Sequence, residues 1–270
     1  MASNSLAVVR QHFSSAMGDL IMGTFASGTS TTGVHTMLRK GDDYYNEHHY
    51  RCYIFGGTNI GEEREISDWT LTSPANTLTF APAFTAAIGA TSMYELHYIF
   101  TEDEYRRAIN MAIQSLTSNR YVLDIIDTNT ITLVADIYEY TLPDGMDFVH
   151  RITTEDEADS GEFYANDEID SRDWELISQR KVKLDSARYS ITAGLDLRVE
   201  GQGAHPTVDD DADDIQIPLD WLVQKAITFL PKGKIMSNKL DTTYNQALLL
   251  SAKDKEPRRF PNPRARRVVE

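Results

Sequence analysis

The chain has 270 residues, which is long enough to bury one large core or two of ordinary size without disulfides or metal ions. It contains one cysteine, Cys52, so an intramolecular disulfide is excluded. The formal net charge of -15 argues against a surface that mainly tracks nucleic-acid phosphates. The first residues lack the pattern of a secretory signal, and polar side chains interrupt the apolar stretch 215–230. We therefore expect a protein that is made in the cytoplasm and binds no membrane.

Residues 1–100 predict a short helix followed by a small antiparallel β-domain, which we expect to be barrel-like. Leu6, Val9, Phe13 and Met17 recur at helical spacing, and Gly18 follows them. Short β-like runs then alternate with glycine and proline turn residues. These runs are residues 20–25, 50–55, 64–69, 77–81 and 93–100.

Residues 101–256 predict a second domain of α+β class, in which the helices are segregated from the sheet. Thr101 and Glu104 have the spacing of a capping box at the start of a central helix, whose apolar face includes Ala108 and Ala112. Strands follow at 130–134, 137–141, 148–153, 174–177, 181–184 and 195–199, with a long polar loop at 154–173 that we expect to project outward. Pro218 begins a C-terminal helical hairpin, whose second helix runs from about residue 237 to 255.

The end of the chain has the opposite charge to the rest. Residues 251–270 contain seven Lys and Arg against three Asp and Glu, a net +4, which leaves -19 for the remainder. Residues 257–270 therefore predict a basic arm that docks on an acidic neighbour, including another copy of the same chain. A solvated, disordered terminus explains the composition equally well. The arginines proposed for the interaction are Arg258, Arg259, Arg264, Arg266 and Arg267.

The sequence contains no motif that predicts catalysis or cofactor binding. It has no phosphate-binding loop, no dinucleotide fingerprint and no nucleophile elbow. The glycine-rich run 28–33 lacks a following lysine and is typical of a turn. Trp69, Trp174 and Trp221 are a candidate sugar-stacking set, but the apolar patterns around Trp174 and Trp221 favour the core. We predict no catalytic residue, no cofactor and no enzymatic activity.

Two groups of residues suggest metal ligands only weakly. His48, His49 and Cys52 include the residue types that bind zinc, but no second cysteine pair completes a site. The aspartate-rich run 209–214 lacks the glycine that an EF-hand turn requires, so a solvated acidic loop is the better interpretation. We predict no metal site.

Several segments resemble a module of tailed-bacteriophage virion proteins. They are residues 56–67 (GGTNIGEEREIS), 76–84 (NTLTFAPAF) and 93–96 (MYEL). Residues 104–113 (EYRRAINMAI) are similar to a helix of neck and head–tail adaptor proteins, and residues 138–146 (YEYTLPDGM) are similar to the strand and turn that follow it. Residues 215–230 resemble the closing helix of these proteins, while Pro231 and the acidic loops depart from the pattern.

This resemblance implies a structural subunit of the virion that forms a cyclic homo-oligomeric ring between the portal and the tail. The implied partners are further copies of the chain, the portal, and tail or neck proteins, with DNA passing through the ring without sequence-specific binding. A second hypothesis is a carbohydrate- or receptor-binding tail module, which the β-rich first half and the long polar loops suggest. A third is a glycan hydrolase, for which no carboxylate pair stands out.

Overall fold

A computed structural model describes residues 4–72, 75–116, 120–177, 180–263 and 266–267. The fold is mixed, with α-helices and several antiparallel sheets. The chain divides into two compact units: the first contains Met1–Ile113 and Thr207–Glu256, and the second contains Gln114–Pro206 and Pro257–Glu270. The predicted boundary after residue 100 lies inside the first unit, whereas the one after residue 256 coincides with a change of unit.

The helices lie mainly in the first unit. Those of the described residues are α1 (Leu6–Ala16), α2 (Tyr44–Glu47), α3 (Glu102–Gln114), α4 (Leu219–Ile227), α5 (Lys232–Ser237) and α6 (Asp241–Lys253). In the described part of the second unit, one 3₁₀ turn occupies Ala165–Asp167.

The first unit is built on a seven-stranded antiparallel sheet of order β2-β8-β5-β6-β7-β4-β3. Its strands are β2 (Ile21–Thr24), β3 (Ser27–Gly28), β4 (Thr32–Val34), β5 (Arg51–Gly56), β6 (Glu63–Thr70), β7 (Thr77–Ala81) and β8 (Met93–His97). A two-stranded sheet pairs β1 (Asn4–Ser5) with β15 (Asp214–Ile215).

The barrel-like shape predicted for the first hundred residues is wrong. Among the described residues, β2 pairs only with β8 and β3 pairs only with β4, so the seven-stranded sheet ends in two edges. The strands form an open sheet instead, and some of the predicted turns connect strands that pair with each other. One example is the run 28–33, in which Gly28 on β3 pairs with Gly33 on β4 and residues 29–31 form the turn between them.

Apolar side chains of the sheet form the main core of the first unit. Trp69, Tyr94, Ile54 and Leu78 are fully buried in it, as the alternating pattern of the strands predicts. The N-terminal helix is confirmed: Ser5 caps α1, and Leu6, Val9 and Phe13 are buried on one face.

The capping box at the start of α3 is also confirmed. The Glu104 amide donates to Thr101 Oγ1 at 3.2 Å, and the Thr101 amide donates to Glu104 Oε2 at 2.9 Å. The predicted apolar face of the helix, including Ala108 and Ala112, is buried. Glu104 Oε2 also accepts a hydrogen bond from Lys234 Nζ at 2.6 Å, so α3 is tied to α5.

The C-terminal helices differ from the predicted hairpin. The expected helix 237–255 is interrupted, because α5 ends at Ser237, Lys239 has a φ of 58°, and α6 begins at Asp241. The last helix packs on α4 and buries only Ala247. Most of its surface is therefore uncovered within the unit.

The second unit contains a four-stranded sheet of order β16-β11-β14-β9 and a three-stranded sheet of order β10-β13-β12, both antiparallel. The strands are β9 (Leu123–Thr132), β10 (Glu139–Thr141), β11 (Met146–Thr154), β12 (Trp174–Ile177), β13 (Lys181–Leu184), β14 (Asp196–Gly203) and β16 (Arg266–Arg267). Their core includes Val149, Ile152, Val182, Leu197 and Val199.

Strand β14 extends four residues beyond its predicted end because glycines permit close pairing. A Cβ atom on Gly201 would lie 2.3 Å from the Phe148 carbonyl oxygen, so only glycine fits opposite β11 at this point. Glycine normally weakens a strand prediction, which explains why the sequence pattern ended at residue 199.

Candidate functional site

The predicted C-terminal arginines have different surroundings. Arg258 is exposed, and the Arg259 guanidinium contacts the Asp124 carboxylate of the second unit. The backbone of Arg259 is also held, since its amide donates to the Arg120 carbonyl at 2.7 Å. Arg264 lies outside the described residues.

The other two arginines lie on the β16 strand. Arg266 stacks its guanidinium 4.2 Å from the Trp174 ring centroid and donates to the Trp174 carbonyl at 2.6 Å. It also contacts the carbonyl of Ser171. Arg267 pairs through its backbone with Phe148 on β11. Arg259 and Arg266 are therefore bound to the second unit of their own chain.

Two lysines at the end of the first unit and one arginine of the second unit remain exposed. Lys253, Lys255 and Arg258 lie on the surface, and no side-chain hydrogen bond or ion pair holds them within the described part of the chain. Lys253 ends α6 and Lys255 follows it, so the exposed positive charge of the first unit's C-terminal end lies beside that helix.

The weak zinc candidates do not come together. The Cys52 side chain is fully buried in the β5 strand, and burial raises its pKa well above the ordinary value. His49 is exposed near Glu65, and the exposed His48 stacks on Tyr44. Within the described ranges, no group of three or more histidine, cysteine, aspartate or glutamate side chains is arranged to hold a metal ion.

The three tryptophans are all buried in the two units. Trp69 belongs to the core of the first unit, and Trp174 belongs to the core of the second. Trp221 is on the inward face of α4. None of these rings is available to stack on a sugar.

An ion network that the sequence did not predict lies inside the first unit. Arg10 on α1 is fully buried and donates two hydrogen bonds to Glu95 on β8, from Nε at 2.9 Å and from Nη2 at 3.0 Å. Nη2 also donates to Asp211 Oδ2 at 3.1 Å, and Nη1 contacts the same carboxylate. The guanidinium lies 4.4 Å from the Tyr53 ring centroid, and the Tyr53 hydroxyl donates to Asp211 Oδ2 at 2.9 Å. The network therefore joins α1, β5, β8 and the acidic loop before β15.

The carboxylate partners keep the Arg10 guanidinium charged. Burial alone would lower the pKa of the Arg10 guanidinium, but its hydrogen bonds to Glu95 and Asp211 raise that pKa above its ordinary value. Glu102 lies 3.8 Å from Arg10 Nη1, and burial raises the pKa of this carboxyl. Removal of either partner of a buried ion pair leaves an uncompensated buried charge, which strongly destabilises the folded state. We therefore assign the network a structural role.

Other aspartates of the run 209–214 also bond within the first unit. Asp209 pairs with Arg106 on α3. The Asp213 carboxylate accepts hydrogen bonds from the amides of Asp209 and Asp210 at 2.7 and 2.9 Å, which lower its pKa. The predicted solvated loop is thus partly ordered by its own carboxylates.

A second buried polar group adjoins the network. The His97 imidazole is fully buried, and neither ring nitrogen has a hydrogen-bond partner. Nε2 lies 3.4 Å from Glu95 Oε2, and the ring packs against Tyr105 with the centroids 5.3 Å apart. Burial lowers the pKa of His97 from 6.5 to about 4; the charge of Asp19 opposes this shift, and that of Arg10 adds to it. The ring is therefore neutral near pH 7.

We expect His97 to make the protein less stable in mild acid. Between pH 6.5 and about 4 the unfolded chain binds a proton on His97 that the folded chain does not bind, so the free energy of unfolding falls as the pH decreases. The full effect of this one group is about 3 kcal/mol. Urea unfolding of the wild type and of His97→Phe across this pH range tests it.

Other groups change the free energy of unfolding with pH in the opposite direction, but the wild type and His97→Phe share them. Burial raises the pKa of Glu63 and Glu102, and these groups favour the folded state as the pH falls, but they are present in both proteins and cancel in the comparison. Parallel pH profiles for wild type and His97→Phe would contradict the assignment.

The polar loop 154–173 forms one side of an acidic cleft in the second unit. The cleft has a volume of about 590 Å³. Its carboxylates are Glu155, Asp156, Glu157, Asp167, Glu168, Asp170 and Asp173. Glu155 is held by the amides of Asp196 and Gly161, which lower its pKa. The loop predicted to project outward instead contacts its own unit, because Ile169 is buried in the core.

Helix α6 exposes three consecutive leucines. Leu248, Leu249 and Leu250 are 44%, 58% and 45% exposed. Exposed apolar side chains that lie next to each other mark sites of protein association more often than isolated ones do. This helix is the leading candidate for an assembly surface.

Comparison with known proteins gave no match: no family model, no curated protein and no solved structure is significantly similar to the chain. No described helix is both long and apolar enough to cross a membrane.

Proposed function

We propose that the chain is a non-enzymatic structural subunit that assembles with copies of itself into a ring at the head–tail junction of a tailed-bacteriophage virion. The observation that carries the assembly proposal is the exposed leucine surface of α6, which adjoins exposed cations on an otherwise acidic protein. The station between portal and tail rests on the resemblance of residues 56–67, 76–84, 93–96, 104–113, 138–146 and 215–230 to virion proteins of the neck and head–tail adaptor kind.

The buried ionisable groups support a structural role. Catalytic acids, bases and nucleophiles must reach a substrate, whereas Arg10, Glu95 and His97 are fully buried. The one thiol, Cys52, is also buried and has a raised pKa, which makes it a poor nucleophile.

The acidic surface suits a protein past which DNA must slide. DNA that moves through a ring should not be held by a wall of lysine and arginine, and the carboxylates of the second unit supply repulsion instead. In this proposal the acidic cleft faces the DNA conduit. A map of the assembled ring that puts these carboxylates on its outer wall would overturn this part of the proposal.

We still propose a basic docking surface near the C-terminus, but with different residues. Arg259 and Arg266 already bind within the second unit, so we propose that Arg258 and the preceding Lys253 and Lys255 make the contacts with a neighbour. The neighbour is a sister subunit, the portal or a tail protein.

Native mass spectrometry of the purified chain, alone and mixed with portal and tail proteins, tests the proposal. We expect a closed oligomer of one defined subunit number, either spontaneously or when a virion partner is present. A chain that stays monomeric at high micromolar concentration and in every mixture would contradict it. Electron microscopy of the same sample would show whether the oligomer is a ring.

The carbohydrate-binding alternative has weaker support, because all three tryptophans are buried. Micromolar binding on a glycan array would nevertheless favour it over the ring.

A further inference from the structure

We infer that copies of the chain exchange the C-terminal arm (residues 257–270), so that the arm of one copy binds to the second unit of its neighbour. This inference rests on the proposed self-assembly and names the segment and the surface that form the contact. The arm and the surface that it covers both belong to the second unit, so the contacts of a chain with its own arm define what a neighbour's arm would bind.

The first half of the arm is bound beside β9. The Val122 amide donates to the Arg259 carbonyl at 3.0 Å, and the Arg259 guanidinium contacts the Asp124 carboxylate. Asp124 Oδ1 also accepts a hydrogen bond from Gln202 Nε2 at 2.8 Å. The Asn262 amide donates to Gln202 Oε1 at 2.7 Å. This half of the arm is therefore bound through its backbone and through one charge pair at the surface.

The second half of the arm adds a strand to a sheet. In the antiparallel pair of β16 and β11, Arg266 lies opposite Val149 and Arg267 lies opposite Phe148. The Arg266 guanidinium also lies 4.2 Å from the Trp174 ring centroid. When a peptide adds a strand to a sheet edge, backbone hydrogen bonds supply affinity and side-chain contacts supply specificity. We call the peptide-binding surface that results the arm site: Val122, Asp124, Phe148, Val149, Trp174 and Gln202.

Few apolar contacts hold the arm in the arm site. Phe260, the one aromatic side chain of the arm, is 61% exposed. None of the described arm residues belongs to the apolar core of the second unit. Pro257, Pro261 and Pro263 have no amide hydrogen to donate, which limits the backbone hydrogen bonds of the arm. Because segments with few buried apolar contacts open locally, the arm can leave the arm site while the second unit stays folded.

A neighbouring copy supplies the arm because every copy carries the same arm and the same arm site. Exchange of an identical segment is a low-cost route to an oligomer, since each contact within one chain is replaced by the same contact between two chains. Arg259 and Arg266 then bind the neighbour, which gives the basic arm the intermolecular role that its charge predicts.

The segment between α6 and the arm determines where the neighbour lies. Residues 254–258 join the end of α6 to Arg259, and an extended segment of this length spans about 20 Å. The neighbour's arm site must therefore lie within that distance of the end of α6, close to the exposed Leu249 and Leu250. Apolar surface covered by the neighbour there favours exchange over a monomer that binds its own arm. Arms passed from each copy to the next, rather than swapped within a pair, close a ring.

Two charge reversals test whether the arm is exchanged. Arg259→Glu gives the arm the wrong charge for the arm site, and Asp124→Arg gives the arm site the wrong charge for the arm. Each variant alone has a repulsion wherever its arm binds. In an equimolar mixture, only contacts between different variants pair opposite charges. We expect mixed oligomers to be favoured over those of either variant alone by about tenfold for each exchanged arm.

Native mass spectrometry gives the result, because the two variants differ in mass and mixed oligomers are resolved from the others. The double variant Arg259→Glu with Asp124→Arg restores the pair and should assemble like the wild type. Arg258→Glu is the matched control: Arg258 is exposed and precedes Arg259, whose guanidinium makes the Asp124 contact. A mixture of Arg258→Glu with Asp124→Arg should show no preference for mixed oligomers.

Both reversals lie at side chains that reach solvent, since Arg259 is 28% and Asp124 is 60% exposed, and circular dichroism confirms that each variant is folded. A mixture of Arg259→Glu and Asp124→Arg that behaves as the sum of its components would show that each chain binds its own arm. That result would overturn the inference and leave the proposed function in place if the wild type forms a closed oligomer. A wild-type chain that never self-associates would overturn both.

Discussion

Replacement of Arg10 by methionine should lower the free energy of unfolding by about 3–5 kcal/mol. The guanidinium is fully buried and makes hydrogen bonds to both Glu95 and Asp211. Without it, the Glu95 carboxylate stays buried with a single remaining hydrogen bond, from Gln11 Nε2 at 3.0 Å. An uncompensated buried charge is among the few single changes expected to cost this much.

The measurement is denaturant unfolding followed by circular dichroism and tryptophan fluorescence. The fluorescence reports on both units, because Trp69 lies in the first and Trp174 in the second. Arg107→Met is the matched control: Arg107 pairs with Asp103 at 2.8 Å but is 75% exposed, so its loss should cost less than about 0.5 kcal/mol. Similar losses in the two variants would contradict a special role for the buried network.

A double variant separates the cost of the missing arginine from that of the stranded carboxylate. Arg10→Met combined with Glu95→Met removes both charges, and the cavity is then filled by apolar atoms. We expect this protein to recover a substantial part of the stability that Arg10→Met loses. If the double variant is as unstable as the sum of the two single variants, the two side chains do not act as a pair.

Local elements were predictable from the sequence because their signals are local. The capping box of Thr101 and Glu104 acts over three residues, and the buried face of α1 repeats within eleven. Pairing across the chain has no comparable signal. Arg10 is 85 residues from Glu95 and 201 residues from Asp211, so neither partner was identifiable from spacing.

The acidic run 209–214 shows that local composition alone does not predict whether a charged loop is solvated, because contacts distant in sequence determine its burial. A group of adjacent aspartates predicts a solvated loop, yet Asp211 completes a buried ion network and Asp213 orders the backbone. One clue to the network was present: Arg10 immediately follows the apolar Val9 on the face of α1 that is buried. A buried arginine requires carboxylate partners, although the sequence does not say which ones.

The C-terminal segment illustrates a second limit of prediction from sequence. Positive charge predicted that its arginines bind an acidic surface, and Asp124 is indeed the partner of Arg259, but it belongs to the same chain. Charge alone does not distinguish an intramolecular partner from an intermolecular one. The exposed leucines of α6 were equally ambiguous, because a helical apolar face looks the same whether its own chain or another covers it.

The second large effect on the free energy of unfolding is expected at Asp19. It follows α1 directly after Gly18, and its carboxylate accepts hydrogen bonds from the amides of Tyr98, Ile99 and Phe100 at 2.7, 2.9 and 2.9 Å. It also accepts one from the Tyr105 hydroxyl at 2.8 Å. One buried side chain thus supplies the acceptors for the segment that joins β8 to α3.

Replacement of Asp19 by alanine should therefore cost about 3–5 kcal/mol, because four donors lose their acceptor and the loss of several partners is not fully additive. Asp42→Ala is the control: this exposed carboxylate accepts one hydrogen bond, from the Leu71 amide at 2.8 Å, and its removal should cost about 1 kcal/mol or less.

Amide hydrogen exchange locates the effect as well as measuring it. In Asp19→Ala the amides of residues 98–100 should exchange faster than those of the β8 strand, because they lose the acceptor that protects them. Unchanged protection at these three amides would mean that water or another group replaces the carboxylate. In that case Asp19 would not determine how α3 is joined to the sheet, and the stability loss would have to arise elsewhere.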